Sequence, residues 1–279
     1  MQKQSSMSYI LVATDFTATG DHAVDYAAQL AMYCGHELCI VHFYYLPITF
    51  GEVPIPEVSL EEIRDSNEET MGTLVGNISA NFPSLKVHHS VMYDDLSDGI
   101  ADFTQTHGDP LLVVIGNSLA GESFVLMDSN VINTFRELKY PVLAVPEEID
   151  FFKIMHICFA FDNKPDQKIT APLEQLKRIV KSLKAGLFVY HAQKDGFERD
   201  NLVDIDPVVL DQLAEVKPLY RIEYDVNLAE AMNKYVKENS IDWVAVLPHH
   251  YSFFESIFHR SKSKELAERI NVPILILHE

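Results

Sequence analysis

ILVATDF (Ile10–Phe16) and HICFAFD (His156–Asp162) decide the fold of this chain: one apolar strand closing on an aspartate occurs twice, near the start and past the middle. After the first copy, Ala23, Ala27, Leu30, Ala31 and Cys34 recur at helical spacing up to Gly35. After the second, Leu173, Leu176, Ile179, Val180 and Leu183 do the same up to Gly186. A β-branched run, a helical period and another run are the signature of a parallel sheet with covering helices. The strands expected in the first half are Tyr9–Thr14, Glu37–Phe43, Lys86–Met92, Leu111–Ile115 and Val142–Val145. Leu60–Asn81 and Leu96–His107 read as helices, and the Pro-rich Leu46–Pro56 as a loop. In the second half the strands are Ile154–Phe161, Ala185–His191, Leu219–Tyr224, Trp243–Leu247 and Ile274–Leu277.

The halves match beyond their openings. Ile40-Val41-His42 pairs with Val189-Tyr190-His191, and MYDDLSDGIADF (Met92–Phe103) with EYDVNLAEAMNKY (Glu223–Tyr235). Asp109-Pro110-Leu111-Leu112-Val113-Val114 pairs with Asp242-Trp243-Val244-Ala245-Val246-Leu247, and YPVLAVPEE with VPILILHE. The same matches in the same order indicate a duplicated α/β domain. The boundary is expected near Ile149, in the acidic Glu147-Glu148-Ile149-Asp150, giving domains 1–149 and 150–279.

Bulk properties narrow the partners. A chain of 279 residues is comfortable for two domains, and an apolar fraction of 47% can bury a sizeable core in each. A net charge of −19 repels nucleic acid and anionic membrane, so neither is an expected partner. The start MQKQSSMSYI has no apolar secretory stretch, and no apolar run is long enough to span a bilayer, which suggests a cytoplasmic protein. Cys34, Cys39 and Cys158 lie in apolar periodic segments without CxxC spacing and read as small buried hydrophobes.

In these residues the chain resembles the universal stress protein family. ILVATDFTATGDHAVDYAAQLA is similar to the family's opening, YPVLAVP to its closing strand, and FFESIFHRSKSKELAERINVPILILHE to the end of its tandem members. The resemblance implies two doubly wound, flavodoxin-like domains with five-stranded parallel sheets related by a pseudo-two-fold. It also implies that Val142–Val145 and Ile274–Leu277 pair within one chain, as last strands do between subunits of single-domain relatives. Further homodimerisation remains open.

In nucleotide-binding members the aspartate ending the first strand meets the adenosine, a second-strand backbone position meets the base, and G-x2-G-x9-G-[ST] wraps the phosphates. Carried onto this chain, these are Asp15 and Asp162, then Val41 or Val189. For the first half the implied site is Ala13, Thr14, Asp15, Phe16, Val41, Gly116, Asn117, Ser118, Gly121, Ser129, Asn130 and Val131. The glycine signature is eroded: in GNSLAGESFVLMDSN (Gly116–Asn130), Leu119 holds the second glycine position and Asp128-Ser129 or Ser129-Asn130 the last. Each lost glycine puts a Cβ where an amide should approach phosphate. Asp128 would repel a triphosphate unless a metal such as Mg bridges them. Ser129 and Asn130 still suit the cap of a helix over Val131–Leu138. The second half has no glycine between Pro248 and Glu255, and His259-Arg260-Ser261 replaces Gly-[ST], so its grip is the more degenerate.

Other constellations point to structure. Adjacent His88 and His89 in a strand face opposite sides. His249, His250 and His259 lack zinc-ligand spacing. Tyr93-Asp94-Asp95 and Asp98 suit a helix start. Phe253, Phe254 and Phe258 read as core or as a partner patch. Neither a G-x-S-x-G elbow nor a P-loop is present, so no catalytic residue is assigned. The expectation is a stress-response protein that binds ATP, AMP or another small ligand in the first domain without turnover. The alternatives are a weak ATPase or nucleotide switch, and a scaffold with closed pockets.

Overall fold

The computed structural model describes residues 9–44, 59–117, 138–161, 169–193, 205–224, 228–247 and 271–278. The chain divides into two compact units, Met1–Leu138 and Lys139–Glu279.

The first unit is built from β1 (Tyr9–Ala13), α1 (Ala18–Cys34), β2 (Glu37–Tyr44), α2 (Leu60–Asn81), β3 (Val87–Tyr93), α3 (Leu96–His107) and β4 (Val113–Asn117). Its strands run β3-β2-β1-β4, all parallel. Ile10, Leu11 and Val12 are fully buried, as a central parallel strand covered on both faces requires. Thr17 caps α1 by accepting from the Gly20 amide, and Gly35 closes it in the left-handed region with φ 71°. Ser59 and Glu62 form a capping box on α2, a largely exposed acidic helix that buries only Met71 and Ile78. The acidic cluster before α3 is a cap: Asp95 Oδ1 accepts from the Ser97 and Asp98 amides at 2.9 and 3.0 Å, and Asp94 from the Asp95 amide.

The second unit comprises β5 (Val142–Pro146), β6 (His156–Ala160), α4 (Thr170–Leu183), β7 (Gly186–Gln193) and α5 (Pro207–Leu213), then β8 (Leu219–Tyr224), α6 (Leu228–Glu238), β9 (Trp243–Val246) and β10 (Ile274–Ile276). Its order is β5-β10-β9-β6-β7-β8, parallel throughout except that β5 and β10 are antiparallel. Val142–Val145 and Ile274–Leu277 therefore pair as expected, centred on Leu275 opposite Leu143. That ladder joins β5 to the strands of the second unit.

Two local expectations need correction. Gly186 does not stop α4; Lys184 does, with φ 54°, while Gly186 opens β7. α5 escapes a search for long periodicity because it is seven residues long, yet Asp206 caps it and Pro207 holds its first position. Cys39 and Cys158 are buried as expected, and desolvation pushes the Cys39 thiol up to about 12 and Cys158 higher still.

Candidate functional site

The connection from β1 leads to β2, whereas α3 carries the chain from β3 back past β1 to β4. The direction of winding therefore reverses between β1 and β4, and a crevice opens outside the carboxyl ends of strands at such a point.

Thr14 continues β1 by one residue, its amide donating to Val41 O at 3.0 Å. Its Oγ1 accepts the Phe16 amide at 3.0 Å, turning the chain sharply. Phe16 takes φ 59°, rare for a residue with a Cβ, and its ring lies 4.1 Å from that of His42. His42 is buried, and its Nδ1 donates to Thr14 O at 2.8 Å. Asp15 projects into solvent. Its Oδ1 accepts the Thr17 hydroxyl at 2.6 Å and the Thr17 amide at 3.1 Å, while Thr17 Oγ1 accepts the Gly20 amide. The carboxylate is thus fixed to the helix that starts beside it.

Gly116 forms the opposite wall. A Cβ there would lie 2.5 Å from Thr19 O and 2.9 Å from Thr19 C, so the end of β4 and the first turn of α1 touch backbone to backbone. The crevice is acidic. In the first turn of α1 the Asp21 carboxyl is raised by burial, then by repulsion from Asp25 and Asp15. Such a field favours a ribose hydroxyl or a cation over a bare phosphate.

Of the residues expected at the site, the structure brings together Ala13, Thr14, Asp15, Phe16, Val41 and Gly116. The Val41 carbonyl already holds the Thr14 amide. Asn117 ends β4. Ser118, Gly121, Ser129, Asn130 and Val131 lie outside the described residues, as do Leu46–Pro56, Asp128, Asp162, His249, His250, Phe253, Phe254, Phe258 and His259. Thr17, Gly20 and His42 also belong to this turn, beyond the residues that the family resemblance implies. Asp15-x-Thr17 ahead of an Ala-rich helix is a cap signal, and a histidine recurring at one place in both halves is a second clue.

The second unit repeats the clasp. His191 Nδ1 donates to Phe161 O at 3.1 Å, their rings are 5.5 Å apart, and the Phe161 amide donates to Tyr190 O at 3.3 Å. Tyr190, not Val189, is therefore the counterpart of Val41. With Thr14 matched to Phe161, Leu11 matches Cys158, and the registers Leu11↔Val113 and Cys158↔Val244 set Val113 against Val244. The sequence match that sets Leu111 against Val244 is therefore displaced by two residues.

The family model described as Universal stress protein family matches residues 7–146. The chain belongs to the universal stress protein family. Among solved structures, a universal stress protein from Archaeoglobus fulgidus DSM 4304 is similar at 16% identity and TM-score 0.64, covering 97% of this chain and 96% of its own. A functionally unknown protein from Pseudomonas aeruginosa PAO1 gives 12% identity and TM-score 0.57, over 98% and 93%. The cytoplasmic domain of a prokaryotic cation chloride cotransporter gives 9% and 0.50, over 98% and 96%. No curated protein matches. At these identities the structural likenesses speak for the fold alone. Among the described residues, no helix is long and apolar enough to cross a membrane.

Proposed function

We propose that this universal stress protein binds an adenine nucleotide in the crevice between β1 and β4, without turning it over, and that the second domain of the tandem has lost this capacity. The observation that carries the reading is the Asp15 carboxylate, anchored by Thr17 where the winding reverses. With Oδ1 engaged, the exposed carboxylate still offers Oδ2 to a ribose hydroxyl, and the buried Thr14–His42 clasp holds the turn beneath it. The acidic surroundings favour Mg as companion to any phosphate. The Thr17 hydroxyl that bonds Asp15 also accepts the Gly20 amide, so in this reading it serves as a helix cap rather than as a nucleophile.

Calorimetry of the full chain with ATP, AMP and cyclic AMP, with and without Mg, tests the proposal. A hydrogen bond to a charged group contributes about 1.5–3 kcal/mol, so Asp15→Ala should weaken binding by roughly tenfold or more. Phosphate release should stay at background. No binding at millimolar nucleotide would leave the scaffold reading. Unchanged affinity in Asp15→Ala would place the site elsewhere, and phosphate release above background would favour the ATPase reading.

A further inference from the structure

Among the described residues, β8 is the edge strand of the second unit, paired only with β7. Its sequence, Leu219-Tyr220-Arg221-Ile222-Glu223-Tyr224, follows Lys217-Pro218 and carries one charge of each sign, Arg221 and Glu223. Leu219 is 63% exposed, an apolar residue facing water at the start of the strand. Nor is the edge sheltered from one side: an open groove of about 630 Å³ separates β8 from α6.

The order of residues along this edge is self-complementary. If a second β8 ran antiparallel beside it with Ile222 opposite Ile222, Arg221 of each strand would face Glu223 of the other, and position 220 would face position 224. Directly opposed unlike charges stabilise an antiparallel pair and like charges oppose it. The Arg221 side chain is 57% exposed and lies 3.1 Å from Glu223, which is 21% exposed and whose other oxygen accepts from the Tyr190 hydroxyl at 3.0 Å. That buried phenol fixes the carboxylate, and Arg221 keeps donors beyond those used within its own strand. The edge of the first unit offers no such match. Centring β3 on Ser90 would set His89 against Val91 and His88 against Met92, opposing no unlike charges.

We infer that β8 is a docking edge for a second copy of this chain, forming an antiparallel β8–β8 pair centred on Ile222 with two reciprocal Arg221–Glu223 bridges. This inference does not depend on the nucleotide reading.

Sedimentation of the full chain up to a few hundred micromolar tests it, by itself and with two charge reversals. The wild type should show a concentration-dependent dimer. Arg221→Glu opposes carboxylate to carboxylate at both crossings and should weaken the dimer at least about tenfold. Glu223→Arg should do likewise. An equimolar mixture of these two variants restores unlike charge at every crossing, and should recover a heterodimer that neither forms alone. Because Glu223→Arg also removes the Tyr190 bond, its melting curve serves as a control. If it fails that control, nitroxides at Leu219 replace it: antiparallel pairing centred on Ile222 separates those two positions by roughly 20 Å along the strands. A wild type that stays monomeric, a dimer indifferent to Arg221→Glu, a mixture of folded variants that does not associate, or a Leu219 separation far from that value would each overturn the inference.

Discussion

Gly116→Ala places one methyl group where β4 meets α1. The new Cβ would sit 2.5 Å from Thr19 O, 2.8 Å from Thr19 Cγ2 and 2.9 Å from Thr19 C. Ordinary contact begins at 3.4 Å, so the shortfall against the carbonyl oxygen is 0.9 Å (3.4 less 2.5). Two of the three atoms are backbone, in the first turn of a helix that Thr17 caps, so no side-chain rotation relieves the clash. Strand and helix must separate, and overpacking of this kind costs about 1–3 kcal/mol. For a unit of this size that lowers Tm by roughly 3–12 °C. The matched control is Gly72→Ala, an exposed position in the middle of α2 where a Cβ meets nothing within 4 Å. There the same substitution should stabilise by about 0.5–1 kcal/mol, because alanine loses less freedom than glycine on entering a helix. Urea unfolding of the three proteins, monitored by circular dichroism, reads both signs in one experiment. If Gly116→Ala unfolds within about 0.5 kcal/mol of wild type, the ordinary range for surface changes, the close approach of β4 and α1 is not what demands the glycine.

Lys184, left-handed at the end of α4 with φ 54°, should gain about 0.5–1 kcal/mol of stability on replacement by glycine, measured by the same unfolding curves. Lys86 and then His88 bond the Glu37 carboxylate and hold its pKa below the usual range. A depressed carboxylate contributes stability that is present above its unfolded pKa and lost as pH falls through the folded one. Glu37→Gln should therefore be slightly less stable than wild type near neutral pH. The difference should close on acidification below the ordinary carboxylate value and shrink with added salt, in paired melts across pH.

Why some of this could be read beforehand and some not follows from what each signal measures. Helices Leu60–Asn81 and Leu96–His107 were legible to the residue because a cap marks each start, Ser59 and Asp95. Strand interiors were legible because central strands are continuous apolar runs. Register was not. The match of Leu111 to Val244 slips by two residues, and a two-residue slip returns every side chain to its own face. Apolar pattern cannot detect it; the carbonyls that accept from His42 and His191, with the strand registers, fix the alignment. The helix stop at Lys184 was missed for a related reason. A search for glycine finds the residue that best tolerates a left-handed turn, while the chain here accepts a lysine two positions before one.

The corrected alignment also shows what the second copy did with the space it inherited. Val41 matches Tyr190, Cys39 matches Phe188, Ser90 matches Arg221 and Met92 matches Glu223, by the registers of β2 with β3 and of β7 with β8. At these positions the second unit replaces small or apolar side chains with larger, charged or hydrogen-bonding ones. Tyr190 fills the inner side and donates its hydroxyl to Glu223, and the ring of Tyr235 of α6 lies tilted against it at 4.9 Å. Burial, then the Glu223 charge, drives the Tyr190 phenol above its ordinary pKa, so it stays a neutral donor. Bulk where the first unit keeps Val41 works against a ring lying on that strand, and the charges it brings stand on the sheet edge. If the first unit binds a nucleotide and β8 pairs with a second copy, as proposed above, these substitutions would serve both ends, disfavouring a ligand inside the second unit and placing charge on its rim.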